Sequence, residues 1–214
     1  MQFKAFIDEG DGGEKLRRWE IDESKKYVAP AGWALERKTF IEYLEGNYHT
    51  VKFLPNGSLH LTGDLNLIDT NLASLPCKIG RVEGNAKLQG NRLSNFDWAD
   101  DLAVYGHLEL ADNEFESFHD IAKKIKLVNN NLNIKGNPLK KAVLGLLLFP
   151  YSQLWFGLSW GGSSGIGRHR PSREQDKVLN IINRYHRSHS VDHASVIDCQ
   201  SELIDAGFDE WAEF

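Results

Sequence analysis

The chain has only two cysteines, Cys77 and Cys199, too few for a disulfide framework. A reducing, cytoplasmic setting is the expectation. It lacks a long apolar run: the longest, Ala142 to Phe149, falls far short of the roughly 18 residues that a membrane span requires. Its opening residues, MQFKAFIDEGDGGEK, carry acids where a secretory leader has its apolar stretch. It also lacks an excess of positive charge. Lys and Arg total 25 against 30 Asp and Glu, a net charge of −5, which argues against nucleic-acid binding by the protein as a whole. What remains is ordinary. Of its 214 residues 41% are hydrophobic and 26% charged, the composition of a folded domain with appended segments.

The middle of the chain repeats itself. GDLNLIDTNLASL from Gly63, GNAKLQGNRLSNF from Gly84, GHLELADNEFESF from Gly106 and NNLNIKGNPLKKA from Asn130 align without gaps. Apolar residues fall in shared columns: Leu65/Ala86/Leu108/Leu132, Leu67/Leu88/Leu110/Ile134, Leu72/Leu93/Phe115/Leu139 and Leu75/Phe96/Phe118/Ala142. A further apolar column, Leu61/Val82/Val104/Val128, lies just before each start. Residues two apart on a strand share a face, so the first two columns are predicted to point inward. The polar column Thr70/Asn91/Asn113/Asn137 sits where each coil turns away from its strand. A side-chain amide there can satisfy backbone groups of the turn. The spacing is the L-x-L-x-x-N-x-L pattern of leucine-rich repeats. One such coil cannot bury a core alone, so stacking and end caps are required.

The flanks read differently. Residues 2–8 and 15–21 bracket a turn-rich Glu9–Gly13 and predict a β-hairpin. Residues 36–46 place Phe40, Ile41 and Leu44 on one helical face, with Gly46 as the stop. A Pro55-Asn56-Gly57 turn joins two strands leading into the first repeat. After the repeats, residues 140–149 are compact and apolar, and residues 153–160 suggest a strand, a fifth irregular coil. Residues 161–172 are loop by composition. Two helices follow, over about 174–187 and 193–207, the second closed by Gly207. The predicted fold is α+β: a short leucine-rich-repeat-like solenoid of about four parallel-strand coils over 59–142. An N-terminal β-hairpin extension covers 1–32 and an N-terminal cap 33–58. A C-terminal helical cap with a Gly/Arg-rich loop covers 143–214.

The Gly-Asp-Leu-x-Leu coil and the ending CQSELIDAGFDEWAEF resemble small leucine-rich-repeat-like proteins of tailed bacteriophages. The resemblance covers about 40–214 and is most specific in the repeat columns and in Glu202–Phe208. The lead-in Pro-Asn-Gly-Ser-Leu at 55–59 fits it, whereas 1–32 and 159–173 look like additions. It implies origin and architecture but no reaction.

Several motifs invite chemistry. Gly161-Gly162-Ser163-Ser164-Gly165 matches G-x-S-x-G by letter, but Arg168-His169-Arg170-Pro171 follows where a nucleophile elbow needs a helix. No Lys-Ser/Thr completes a phosphate loop. His186, His189 and His193 with Cys199 lack the paired ligand motifs of a metal site. Residues 168–187 hold six bases and 198–214 six acids, which are predicted to lie together and offset one another. Two polar rows face outward from the repeat strands: Asp64/Asn85/His107/Asn131 and Asn66/Lys87/Glu109/Asn133. Lys87 and Glu109 are predicted as lateral neighbours of opposite charge. Solenoids commonly bind partners on such rows; the alternative is a solvated ladder. Trp155 and Trp160 flank the Gly-rich loop and suit a binding hot spot or a core plug.

The reading is a non-enzymatic protein-binding module. It would occlude a host or phage partner protein in the host cytoplasm, as an inhibitor of a host enzyme or defence system. The contact residues are Asn66, Lys87, His107, Glu109, Asn133, Trp155, Trp160, Arg168 and Arg170. No cofactor, metal, membrane or nucleic-acid partner is expected. The alternatives are a minor virion or assembly component and, behind it, a hydrolase using Ser163 or a nucleic-acid binder.

Overall fold

Every coil from residue 59 to 134 carries two short strands and turns a corner between them. In the computed structural model the described residues are 6–7, 17–18, 37–46, 50–148, 153–155, 172–186 and 193–213. The first strand of each coil is β4 (Leu59–Thr62), β6 (Ile79–Val82), β8 (Ala99–Val104) or β10 (Ile125–Val128). The second is β5 (Leu65–Asn66), β7 (Ala86–Lys87), β9 (Leu108–Glu109) or β11 (Asn131–Asn133). Each set of four is parallel and gains a fifth strand at one end, giving the orders β10-β8-β6-β4-β3 and β12-β11-β9-β7-β5. Here β3 is Thr50–Phe53, antiparallel to β4, and β12 is Gln153–Trp155, parallel to β11. The protein is therefore mixed α+β with parallel strands stacked as a β-solenoid; its four rungs are three turns from first to last.

The register matches the sequence columns. Leu65 pairs with Ala86, Ala86 with Leu108 and Leu108 with Leu132. One position on, Leu67 N–H donates to the Lys87 carbonyl, Leu88 N–H to Glu109 and Leu110 N–H to Asn133, at 2.7–2.9 Å. Leu67, Leu88, Leu110 and Ile134 thus line up along one axis, each at most 2% exposed. The column before each start forms the second sheet: Leu61 pairs with Val82 and Val82 with Val104, and Val104 with Val128. The sequence reading placed one strand in each coil. The structure has two, because His60-Leu61-Thr62, Arg81-Val82-Glu83 and Ala103-Val104-Tyr105 alternate polar or small with apolar, the period of a half-buried strand.

The polar column closes each coil. Asn91, Asn113 and Asn137 are buried. Asn113 Oδ1 accepts the Leu93 N–H at 3.0 Å, and its Nδ2 donates to the Leu88 and Leu110 carbonyls at 2.9 and 3.1 Å. Asn91 does the same with Leu72 N–H and the Leu67 and Leu88 carbonyls. Asn137 takes the Phe115 N–H and gives to Leu110 and Ile134. Each amide therefore ties its own coil to the one before it. At the first position Thr70 bonds the Leu67 carbonyl and Asn91 Oδ1 instead. Outside the turn, Phe96, Phe115 and Phe118 stack, with ring centroids 4.7 Å apart for the first pair and 5.3 Å for the second two.

The ends are closed by helices. Helix α1 (Arg37–Gly46) buries Phe40, Ile41 and Leu44, the predicted face. The hairpin at the N-terminus is described only as β1 (Phe6–Ile7) paired antiparallel with β2 (Arg17–Arg18). Between β8 and β10 lies the single-turn α2 (Ile121–Lys124). After β11 a buried 3₁₀ turn, Leu144–Leu147, meets α3 (Arg173–His186) and α4 (His193–Asp205). The last 3₁₀ turn, Asp209–Ala212, returns to the solenoid: Ala142 N–H donates to the Glu210 carbonyl and Val143 N–H to that of Trp211. Among the described residues no helix is long and apolar enough to cross a membrane.

Candidate functional site

Two outward sheet faces are held rigid by the coils beneath them. On the β5-β7-β9-β11 face the predicted row Asn66/Lys87/Glu109/Asn133 is assembled side by side. Lys87 and Glu109 are neighbours in register, as predicted, but their side chains bond elsewhere. Lys87 Nζ reaches Asp64 Oδ2 at 2.9 Å, one coil back. Glu109 Oε2 accepts instead from Asn133 Nδ2 at 2.6 Å. Lys87 sits in register with Glu109, yet its long stem lets the ammonium swing to Asp64, whose carboxylate is already fixed. Asn85 holds Asp64 with its backbone N–H at 2.8 Å and its amide at 3.1 Å. His107 N–H then donates to Asn85 Oδ1 at 2.9 Å. Partial burial works to raise the Asp64 carboxyl; the Asn85 and Lys87 hydrogen bonds overcome it and hold the group down at about 2. This face is a polar ladder that largely satisfies itself.

The β4-β6-β8-β10 face was missed by sequence reasoning. Its central row is Lys52, His60, Arg81 and Ala103 on adjacent strands. The next positions, Glu83, Tyr105 and Asn129, continue the ladder by donating to the Leu61, Val82 and Val104 carbonyls. Glu83 Oε1 sits 2.9 Å from His60 Nε2 and 3.5 Å from an Arg81 terminal nitrogen. The Arg81 guanidinium lies over the Tyr105 ring, 4.6 Å from its centroid. Tyr105 is 40% exposed and the Arg81 side chain 42%. The signal was present in the alternation around Leu61, Val82 and Val104.

Trp155 lies on β12, its backbone in register with Asn133. Trp160, Ser163, Arg168, Arg170 and His189 fall outside the described residues. His186 ends α3, whereas Cys199 is fully buried on the inner side of α4. Burial, and secondly the Glu202 charge, push the Cys199 thiol up to about 12. Among the described residues no cluster of His, Cys, Asp and Glu suits a metal ion. The predicted mutual compensation of basic 168–187 and acidic 198–214 is realised among the described residues by one ion pair, Arg184 with Glu202.

One unpredicted cluster has the letters of a catalytic relay. Ser117 Oγ is 3.0 Å from His119 Nδ1, and His119 Nε2 is 2.6 Å from Asp120 Oδ2. The His119 and Asp120 side chains are 45% and 39% exposed, and Lys123 engages the other Asp120 oxygen at 3.0 Å. In so wet a place the carboxylate polarises the imidazole weakly. These contacts fasten the turn into α2.

Comparison with protein-family models, with curated proteins and with solved structures gives no match to this chain.

Proposed function

We propose that this chain is a non-enzymatic protein-binding module that acts by covering the working surface of a partner protein. The observation that carries the reading is the Arg81–Tyr105 stack on the outward face of the β4-β6-β8-β10 sheet. Arg and Tyr are the side chains most enriched at binding hot spots. Here Arg81 lies on β6 and Tyr105 directly follows β8, its N–H bonded to the Val82 carbonyl, so little loop entropy is lost on docking. The self-satisfied Asn66/Lys87/Glu109/Asn133 ladder is the weaker face, because a partner must first compete with its internal hydrogen bonds.

The finer architecture belongs to the same reading. A leucine-rich-repeat type of coil, capped through about residue 58 and again from about 143, is supported by the asparagine column and the shared register. The second parallel strand in each coil departs from it. Phage origin, a host or phage partner and action in the host cytoplasm rest on the sequence resemblance alone. Inhibition of a host enzyme or defence complex is the use that occlusion would serve.

Affinity capture from infected-cell lysate tests the proposal. One protein retained by wild type, and lost with Arg81→Ala/Tyr105→Ala but kept with Lys87→Glu/Glu109→Lys, is the expected result. Retention by all variants alike, or by none including wild type, overturns it. Recovery of the chain in purified particles at fixed stoichiometry would assign it to assembly instead.

A further inference from the structure

Helix α4 buries one side and leaves an apolar line on another. Val196, Cys199 and Leu203 face the core. At 100° per residue, Ile197 and Ile204 fall on a common line about a quarter-turn or more away from them. They are 47% and 46% exposed, with exposed Ser201 between them. Seven residues apart, they stand roughly 10.5 Å from one another along the axis. Single exposed hydrophobes need no explanation, but two in line on one helix form a strip.

The strip has an acidic rim. Asp198 and Asp205 each follow one of the isoleucines and are exposed. On the opposite border Gln200 Nε2 donates to the Ala212 carbonyl at 2.9 Å, which brings the Asp209–Ala212 turn alongside. Asp209, Glu210 and Glu213 are exposed there. Among the described residues, only Glu202 of the acids from 198 onward has an ion-pair partner. No Lys or Arg lies in residues 198–214. An apolar line ringed by unpaired carboxylates attracts cations and repels its own kind.

We propose that this strip docks a basic amphipathic helix of another protein. Apolar side chains of that helix at i, i+3 or i+4, and i+7 would cover Ile197 and Ile204, and flanking Lys or Arg would meet the rim. A second copy of α4 would set the same carboxylates face to face, which disfavours self-pairing. The surface is separate from the Arg81–Tyr105 face.

A labelled probe helix with leucines at i, i+3 and i+7 and lysine flanks, titrated with the full chain, tests this by fluorescence anisotropy. A twin with glutamate flanks is the control. The lysine probe is expected to bind at least about tenfold more tightly than its twin. Ile197→Ser/Ile204→Ser is expected to weaken it about tenfold with an unchanged circular-dichroism spectrum. Asp198→Asn/Asp205→Asn is expected to weaken it severalfold and flatten its salt dependence. Arg81→Ala/Tyr105→Ala is expected to leave it unchanged. Equal binding of the twins, or indifference to the isoleucine variant, overturns the proposal. So does a dimer in sedimentation that the isoleucine variant abolishes, since a second copy would then be the occupant.

Discussion

The Asp69 carboxylate stands over Gly90 so closely that a Cβ built on that glycine would collide with Asp69 Oδ1. The same holds for Asp112 over Gly136. All four residues have positive φ, from 53° to 73°. They occupy one column of the solenoid, alternating Asp and Gly, so each carboxylate fills the space the next glycine leaves. Gly90→Ala would meet both the clash and the left-handed backbone, a loss of about 2–4 kcal/mol. Asp69→Gly in the Gly90→Ala background should recover part of it. Urea titration of wild type, Asp69→Gly, Gly90→Ala and the double variant decides; full additivity of the two substitutions would contradict the pairing.

Asn113 is the middle rung of the asparagine column, with coils bonded on both sides. Asn113→Ala strands the Leu93 N–H in a dry interior and takes one of two amide donors from the Leu88 and Leu110 carbonyls, which keep those of Asn91 and Asn137. The expected cost is about 2–3 kcal/mol, against about 1 kcal/mol for Thr70→Ala at the partly open first position. Similar midpoints for the two variants in denaturant would argue against the column as a tie between coils.

Phe115 packs against both Phe96 and Phe118 in a three-ring cluster, with no exposure. Phe115→Ala should cost about 3–5 kcal/mol and Phe115→Leu markedly less, since most of the volume is kept. Thermal melts of both variants check this; a Leu variant as damaged as the Ala variant would point to the ring stacking itself.

Asp64, held at about 2, has a folded pKa below its ordinary value. Such a group stabilises the fold above about pH 4, and the contribution is lost as the pH falls toward 2. Half-exposed partners keep it below about 1 kcal/mol. Asp64→Asn should therefore melt slightly below wild type at pH 6 and level with it near pH 2. A gap that persists at pH 2 would mean the carboxylate's charge is not its source.

The repeat was legible because burial is written in residue type. Leu67, Leu88, Leu110 and Ile134 must leave water, and a shared offset leaves them one way to do so. Asn91, Asn113 and Asn137 were legible for the complementary reason: a polar residue repeated beside a core column needs backbone partners. The second sheet was less visible. Its buried column was seen, but Arg81, Glu83 and Tyr105 drew no assignment, because the alternation around them spans only three residues.

Residue type alone determined which side chains enter the core, the step from coil to coil and the helices that close the end, since these follow from periodicity. Tertiary structure decided which charges meet. Lys87 has Glu109 beside it and Asp64 one coil away, and it takes Asp64 because Asn85 has already locked that carboxylate in place. Stacking likewise decided which face carries Arg81 on Tyr105 and which leaves Ile197 and Ile204 to water. Long polar side chains choose among several neighbours within reach, and only the assembled fold places those neighbours.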